Sequence, residues 1–278
     1  MQNSKPQTGL ISLATSWQLR GVAMLMILFV HSVNEYPAVM QQPWSRLLLV
    51  PHWGVIGSAV FLLLSGYGML CSLQKRGLAF DGRYWMRKAK GLLLPYLVAF
   101  AVTALALSVY DGKYEGGYSF DASHLLRLNL ADGNELWFFK TIVAEYVLLM
   151  VLNLLRMRVR GQVVVMAVVH AVVIGLMVGC GWPRYWWASD AFFVVGMAAS
   201  LCLVRSEIVP ALPERWAWTR WTSRGLTYIG RNSICFYLLE IAVMWMLPSS
   251  LLPWPLFFLL TVALTAVLTE LYRRSFGR

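Results

Sequence analysis

Eight long apolar blocks, roughly 18–36, 47–72, 91–110, 136–155, 162–181, 187–204, 225–247 and 250–272, dictate what this chain can become. A block of about 20 apolar residues is long enough to cross a bilayer as a helix. Within lipid every backbone N–H and C=O must be satisfied internally, which leaves helices as the fold for such blocks. Only 13% of the 278 residues are charged, against about 25% in an ordinary soluble domain. The expected fold is therefore an all-α polytopic membrane bundle of about eight spans, a single domain over 1–278 with no appended soluble domain. The first sixteen residues are polar and mixed, and no small-residue cleavage site follows the first block, so that block reads as a retained span.

The net charge of +11 invites a nucleic-acid reading, but its distribution explains it better. On alternate sides of the eight blocks, one side collects Lys5, Arg20, Lys75, Arg76, Arg83, Arg87, Lys88, Lys90, Arg156, Arg158, Arg160, Arg205, Arg215, Arg220, Arg224, Arg273, Arg274 and Arg278. The other holds Arg46, Lys113 and Arg184 among five acidic residues, Asp111, Glu115, Asp121, Asp132 and Glu135. Short loops rich in Lys and Arg stay cytoplasmic. Both termini are expected inside, and no nucleic-acid partner is needed. Cys71, Cys180, Cys202 and Cys235 show no paired spacing, so neither a disulfide framework nor a metal motif is expected.

Ionisable side chains inside such blocks mark functional candidates, because placing them there is costly. Arg20 and His31 flank an almost wholly apolar run, Gly21 to Val30. Eleven helical steps turn through nearly three full turns and rise about 16 Å, so the two share a face at different depths. Glu35, four residues on, falls on the same face. It either orients the imidazole as a general base needs, or sits in interfacial water. His52 beside Trp53 reads as interfacial, and His170 amid valines reads as structural.

The Ser65-Gly66-Tyr67-Gly68 end of the second block offers backbone N–H groups or a close approach to a ligand. Arg87, Lys88 and Lys90 read either as a positive-inside cluster or as a phosphate patch at a helix N-terminus. Glu145 lies too deep to snorkel and calls for a partner or a wet cavity. Arg231 and Glu240 add further intramembrane charge. The Trp182–Trp187 cluster near Asp190 reads as an aromatic belt or a sugar-stacking platform. A short surface helix is expected around Ser123 to Leu130, and an interfacial amphipathic stretch from Arg205 to Arg224, with Trp216, Trp218 and Trp221.

Arg20-Gly21 through His31, then Gly54-x-x-Gly57 leading to Phe61 and Leu64-Ser65-Gly66-Tyr67, resembles the signature of the acyltransferase-3 family of integral membrane acyltransferases. Leu94-Pro95-Tyr96, Leu136-Trp137-Phe138 and Gly230-Arg231-Asn232-Ser233 with Tyr237-Leu238-Leu239 are similar to its later motifs, in the same order. Three features depart from the pattern. The family often has a histidine where Glu240 stands, Gly91 replaces a usual basic residue, and members commonly have about ten spans.

The resemblance implies transfer of an acyl group, usually acetyl from acetyl-CoA, to a hydroxyl of a cell-surface glycan or its lipid-linked precursor in a bacterial cytoplasmic membrane. It implies no permanently bound cofactor. In that setting Arg20, Arg87, Lys88 and Lys90 gather the polyanionic acyl-CoA. His31 serves as base or transient acyl carrier with Glu35 or Glu145 orienting it, and Ser65, Tyr67, Trp137, Arg231 and Glu240 are substrate or oxyanion candidates. The competing expectation is a transporter or flippase for an anionic glycan lipid.

Overall fold

The computed structural model describes residues 11–36, 39, 42, 53–76, 80–109, 123–130, 136–202, 217–247 and 251–276. Its helices are α1 (Leu13–Asn34), α2 (Trp53–Arg76), α3 (Gly82–Val109), α4 (Ser123–Leu126), α5 (Trp137–Leu154), α6 (Val159–Gly179), α7 (Arg184–Trp187), α8 (Ala191–Cys202), α9 (Ala217–Arg231), α10 (Ser233–Met246) and α11 (Trp254–Phe276). Six of them, α1, α2, α3, α5, α6 and α11, are long and apolar enough to cross a membrane. His52, the segment 111–122 and residues 203–216 lie outside the described residues.

Several expected elements differ. The block at 225–247 is not one helix: α9 ends at Arg231, and Asn232 leaves helical geometry at φ −108° and ψ 19° before α10 begins. The 14 residues of α10 rise about 21 Å, short of the roughly 30 Å hydrocarbon layer. Nearly all of its side chains are buried, Glu240 and Trp245 included, so it is a core helix. That explains its uniform apolarity, since a helix buried all round has no polar face to reveal.

The block at 187–204 likewise shortens to α8, preceded by the single turn α7. The basic 73–90 loop is largely helix, because α2 runs to Arg76 and α3 starts at Gly82. The amphipathic stretch continues to Arg231, with Arg220, Trp221 and Arg224 exposed and Leu226 buried. The helix expected on the surface at Ser123 to Leu130 carries buried His124 and Leu130, and the Tyr96 hydroxyl donates to the carbonyls of His124 (3.2 Å) and Asn129 (2.9 Å).

By contact the chain divides into two compact units. One takes the start of α1, α2, most of α5, and α6 to α9. In it α1 and α9 touch backbone to backbone: a Cβ at Gly21 would strike the Leu226 carbonyl, and one at Gly230 the Trp17 carbonyl. Small residues at such crossings permit close approach, as is common between membrane helices. In α6 the buried residues are Gln162, Met166 and His170, one stripe at four-residue spacing, while Val164, Val168, Val172 and Leu176 face outward.

The other unit takes the end of α1, α3, α4, the start of α5, α10 and α11. Helix α11 buries Phe257, Thr261, Thr265 and Thr269 on one stripe and exposes Leu256, Leu259, Leu264 and Val267. Both helices turn their polar residues inward and their aliphatic ones outward, as lipid around a bundle requires.

Candidate active site

In the second unit His31, on α1, and Glu240, on α10, are joined by a 2.7 Å hydrogen bond from Nδ1 to Oε1. The His31 side chain is 30% exposed, while that of Glu240 is wholly buried. An ionised Glu240 accepts a hydrogen bond from Nδ1–H and so fixes the tautomer whose Nε2 carries a lone pair. Among the described residues Nε2 has no partner. Tyr237, one turn before Glu240, sits with its ring 6.1 Å from the imidazole and meets Phe138 edge-on at 5.2 Å. An imidazole with one nitrogen anchored on a carboxylate and the other open is the arrangement of a general base.

Glu240 holds this place by burial. Its Oε2 has no hydrogen-bond partner, so the only described anchor of the carboxylate is the histidine. A buried carboxylate left alone would cost several kcal/mol. The carboxylate on His31 is therefore Glu240, not Glu35 or Glu145. Glu35 lies half-buried just past the end of α1.

In the first unit Arg20 donates from Nη2 to the Leu64 carbonyl at 3.1 Å, with its guanidinium 5.2 Å from the Phe61 ring centre. Its Nε is buried and unpartnered, and among the described residues no carboxylate pairs with it. Ser65, also buried, lies on the α2 stripe formed by Phe61 and Gly68, both of which approach the guanidinium, and its Oγ makes no hydrogen bond. Arg20 and Ser65 thus present unused donors, the polarity that suits an anionic or carbonyl oxygen.

Gly66 serves packing, closing α2 onto the Phe193 backbone of α8. Tyr67 is buried and hydrogen-bonded to Cys71. Glu145, on α5, is buried and bonded to His170 of α6 at 2.5 Å. His170 is therefore one half of a buried pair, which the valine-rich surroundings concealed. The signal was positional: Glu145 and His170 lie near the middles of successive helices joined by the short 155–158 connection, and this sets them level.

Arg87 and Lys90 are exposed on the first turns of α3 and Lys88 stands 5.5 Å over the Tyr84 ring. They lie beyond the helix N-terminus at Gly82, so the expected phosphate patch at a helix start is a patch along its side. Arg231, at the exposed end of α9, lies 5.6 Å over the Trp17 ring, and Trp137 is half-buried at the start of α5. Among the described residues no group of three His, Cys, Asp or Glu is placed to hold a metal.

No curated protein and no solved structure matches the chain. A family model described as an acyltransferase domain matches residues 18–201. The match takes in α1 with Arg20 and His31, the Ser65 stripe and the Glu145–His170 pair, and stops short of Glu240. With well over half of its length matched, the chain belongs to the acyltransferase-3 family and is an integral membrane acyltransferase.

Proposed function

We propose that this protein transfers an acyl group, acetyl from acetyl-CoA, to a hydroxyl of a cell-surface glycan or its lipid-linked precursor, working in a bacterial cytoplasmic membrane with both termini inside. The observation that carries the reading is the His31–Glu240 pair with Nε2 left open. Nε2 takes the proton of the acceptor hydroxyl as its oxygen attacks the thioester carbonyl carbon. Glu240 stabilises the imidazolium that forms. The tetrahedral intermediate collapses, the carbon–sulfur bond breaks, and the imidazolium proton goes to the departing thiolate.

Arg20 supplies a fixed cation for the polyanionic donor, with Arg87, Lys88 and Lys90 drawing it in from the cytoplasmic side. Ser65 is the oxyanion candidate with an unused donor, its buried hydroxyl making no hydrogen bond. The donor is a co-substrate, and none of these roles needs a resident cofactor.

The test is transfer of labelled acetyl from acetyl-CoA by membranes containing wild type, His31→Ala or Arg20→Lys. Loss of transfer in His31→Ala and a raised KM for acetyl-CoA in Arg20→Lys are expected. Transfer that persists unchanged in His31→Ala removes the proposed centre. Transport of an anionic glycan lipid without acyl transfer would favour a flippase. Mass analysis of surface glycans, with and without the protein, reads the acceptor directly through one missing acetyl substituent.

A further inference from the structure

The first unit carries a second group of buried ionisable side chains that the acyl-transfer chemistry does not use: Glu145 on α5, His170 on α6, and Asp190 immediately before α8. Their hydrogen bonds restrict where protons can sit. His170 Nδ1 lies 2.7 Å from the Met166 carbonyl, which can only accept, so Nδ1 carries a hydrogen. Nε2 faces Glu145 Oε1 at 2.5 Å. Either Nε2 is protonated against a carboxylate, or a protonated Glu145 donates to the Nε2 lone pair. In both arrangements one proton lies between them and the pair is neutral overall.

Asp190 is different. It is 6% exposed, it lies within electrostatic reach of both Glu145 and His170, and its Oδ1 has no hydrogen-bond partner. Glu145 Oε2 is equally buried and unpartnered. Two acceptor oxygens facing no donor are costly inside a membrane protein unless a proton or water is held there. Residues 181–184 are exposed, and in the chain only the single turn α7 separates them from Ser189 and Asp190. Among the described residues no group of three His, Cys, Asp or Glu is placed to hold a metal ion.

We propose that Glu145, His170 and Asp190 form a proton-loading site, in which the Glu145–His170 pair retains one proton and Asp190 binds and releases another. The exchange is carboxylate plus hydronium giving carboxylic acid plus water, with bulk water as the source. The groups around Asp190 are Glu145 from α5, His170 from α6 and its neighbour Ser189. Tyr146, beside Glu145, meets Phe193 of α8, and Arg20, held on Leu64 of α2, is the buried fixed cation of the same unit. This inference does not depend on the acyl-transfer reading.

The experiment is infrared difference spectroscopy of the full chain in lipid nanodiscs across a pH titration, with aspartate or glutamate carrying a 13C label. A carboxylic-acid band should appear on acidification, shift with labelled aspartate, and vanish in Asp190→Asn. In Asp190→Glu it should return under the glutamate label, which guards against a variant that merely misfolds. Nitrogen-15 spectra of His170 in the wild type should show Nδ1 protonated throughout. Absence of an Asp190-dependent band over the pH range in which the protein stays folded overturns the proposal. So does loss of the Nδ1 proton from His170.

Discussion

His31 and His170 each meet a buried glutamate from another helix, but the two imidazoles are wired in opposite senses. His31 gives Nδ1 to Glu240 and leaves Nε2 open on a side chain 30% exposed. His170 gives Nδ1 to the Met166 carbonyl and sets Nε2 against Glu145, with both side chains under a tenth exposed. The same two residue types therefore leave one ring nitrogen open in one place and make a closed, proton-sharing pin in the other. What separates them is whether a backbone carbonyl or a carboxylate takes the first nitrogen, and whether anything can reach the second. A buried histidine in a membrane helix earns a functional reading only through its hydrogen-bond pattern.

The largest break in this comparison is expected from His31→Ala. Removing the proposed base should lower acyl transfer about 10²–10⁴-fold, measured as initial rate with labelled acetyl-CoA, and the melting temperature in detergent should also fall, because buried Glu240 loses its one described hydrogen-bond partner. Glu240→Gln should follow with a loss of about 10²-fold. An amide that donates to Nδ1 selects the tautomer with hydrogen on Nε2, so the variant keeps its imidazole and loses its lone pair. A Glu240→Gln enzyme with full activity would show that the carboxylate sets neither tautomer nor charge.

His170→Ala should act on stability first. It leaves Glu145 without its partner, a loss of about 1–3 kcal/mol for a buried group, read as a lower melting temperature than that of wild type with acyl transfer per folded protein retained. Glu145 can stay neutral by keeping the shared proton, which holds the loss below that of a stranded buried charge. A melting temperature matching wild type would mean that the pair does not hold α5 to α6.

These contrasts also mark what the sequence could reveal. Arg20, His31 and the membrane blocks were legible because cost and spacing act along a single helix. The partner of His31 was not, since Glu240 is 209 positions away and only the packing of α10 brings it there. The apolar run at 225–247 concealed the break at Asn232, because a buried core helix and a span share one composition. By contrast, the inward stripes Gln162-Met166-His170 and Thr261-Thr265-Thr269 were written at four-residue spacing. Reading polar residues as the inner face would have removed His170 from its valines and set it toward Glu145.

The smallest effect sharpens the open side of the His31 pair. Tyr237 shares the inner face of α10 with Glu240, and its ring is pinned edge-on against Phe138. Among the described residues its hydroxyl makes no hydrogen bond, yet its ring stands 6.1 Å from the imidazole. In the proposed reaction that hydroxyl would be a donor to the acceptor or the intermediate. Tyr237→Phe removes only the oxygen and keeps the packing, so it should cost one hydrogen bond, about 0.5–1.5 kcal/mol, or roughly a two- to tenfold fall in kcat. KM for acetyl-CoA should not move, because the lost contact is made where the acyl group is transferred. A fall as deep as that of His31→Ala would put Tyr237 into proton transfer itself, and the base would then be a histidine–tyrosine pair with Glu240 behind it.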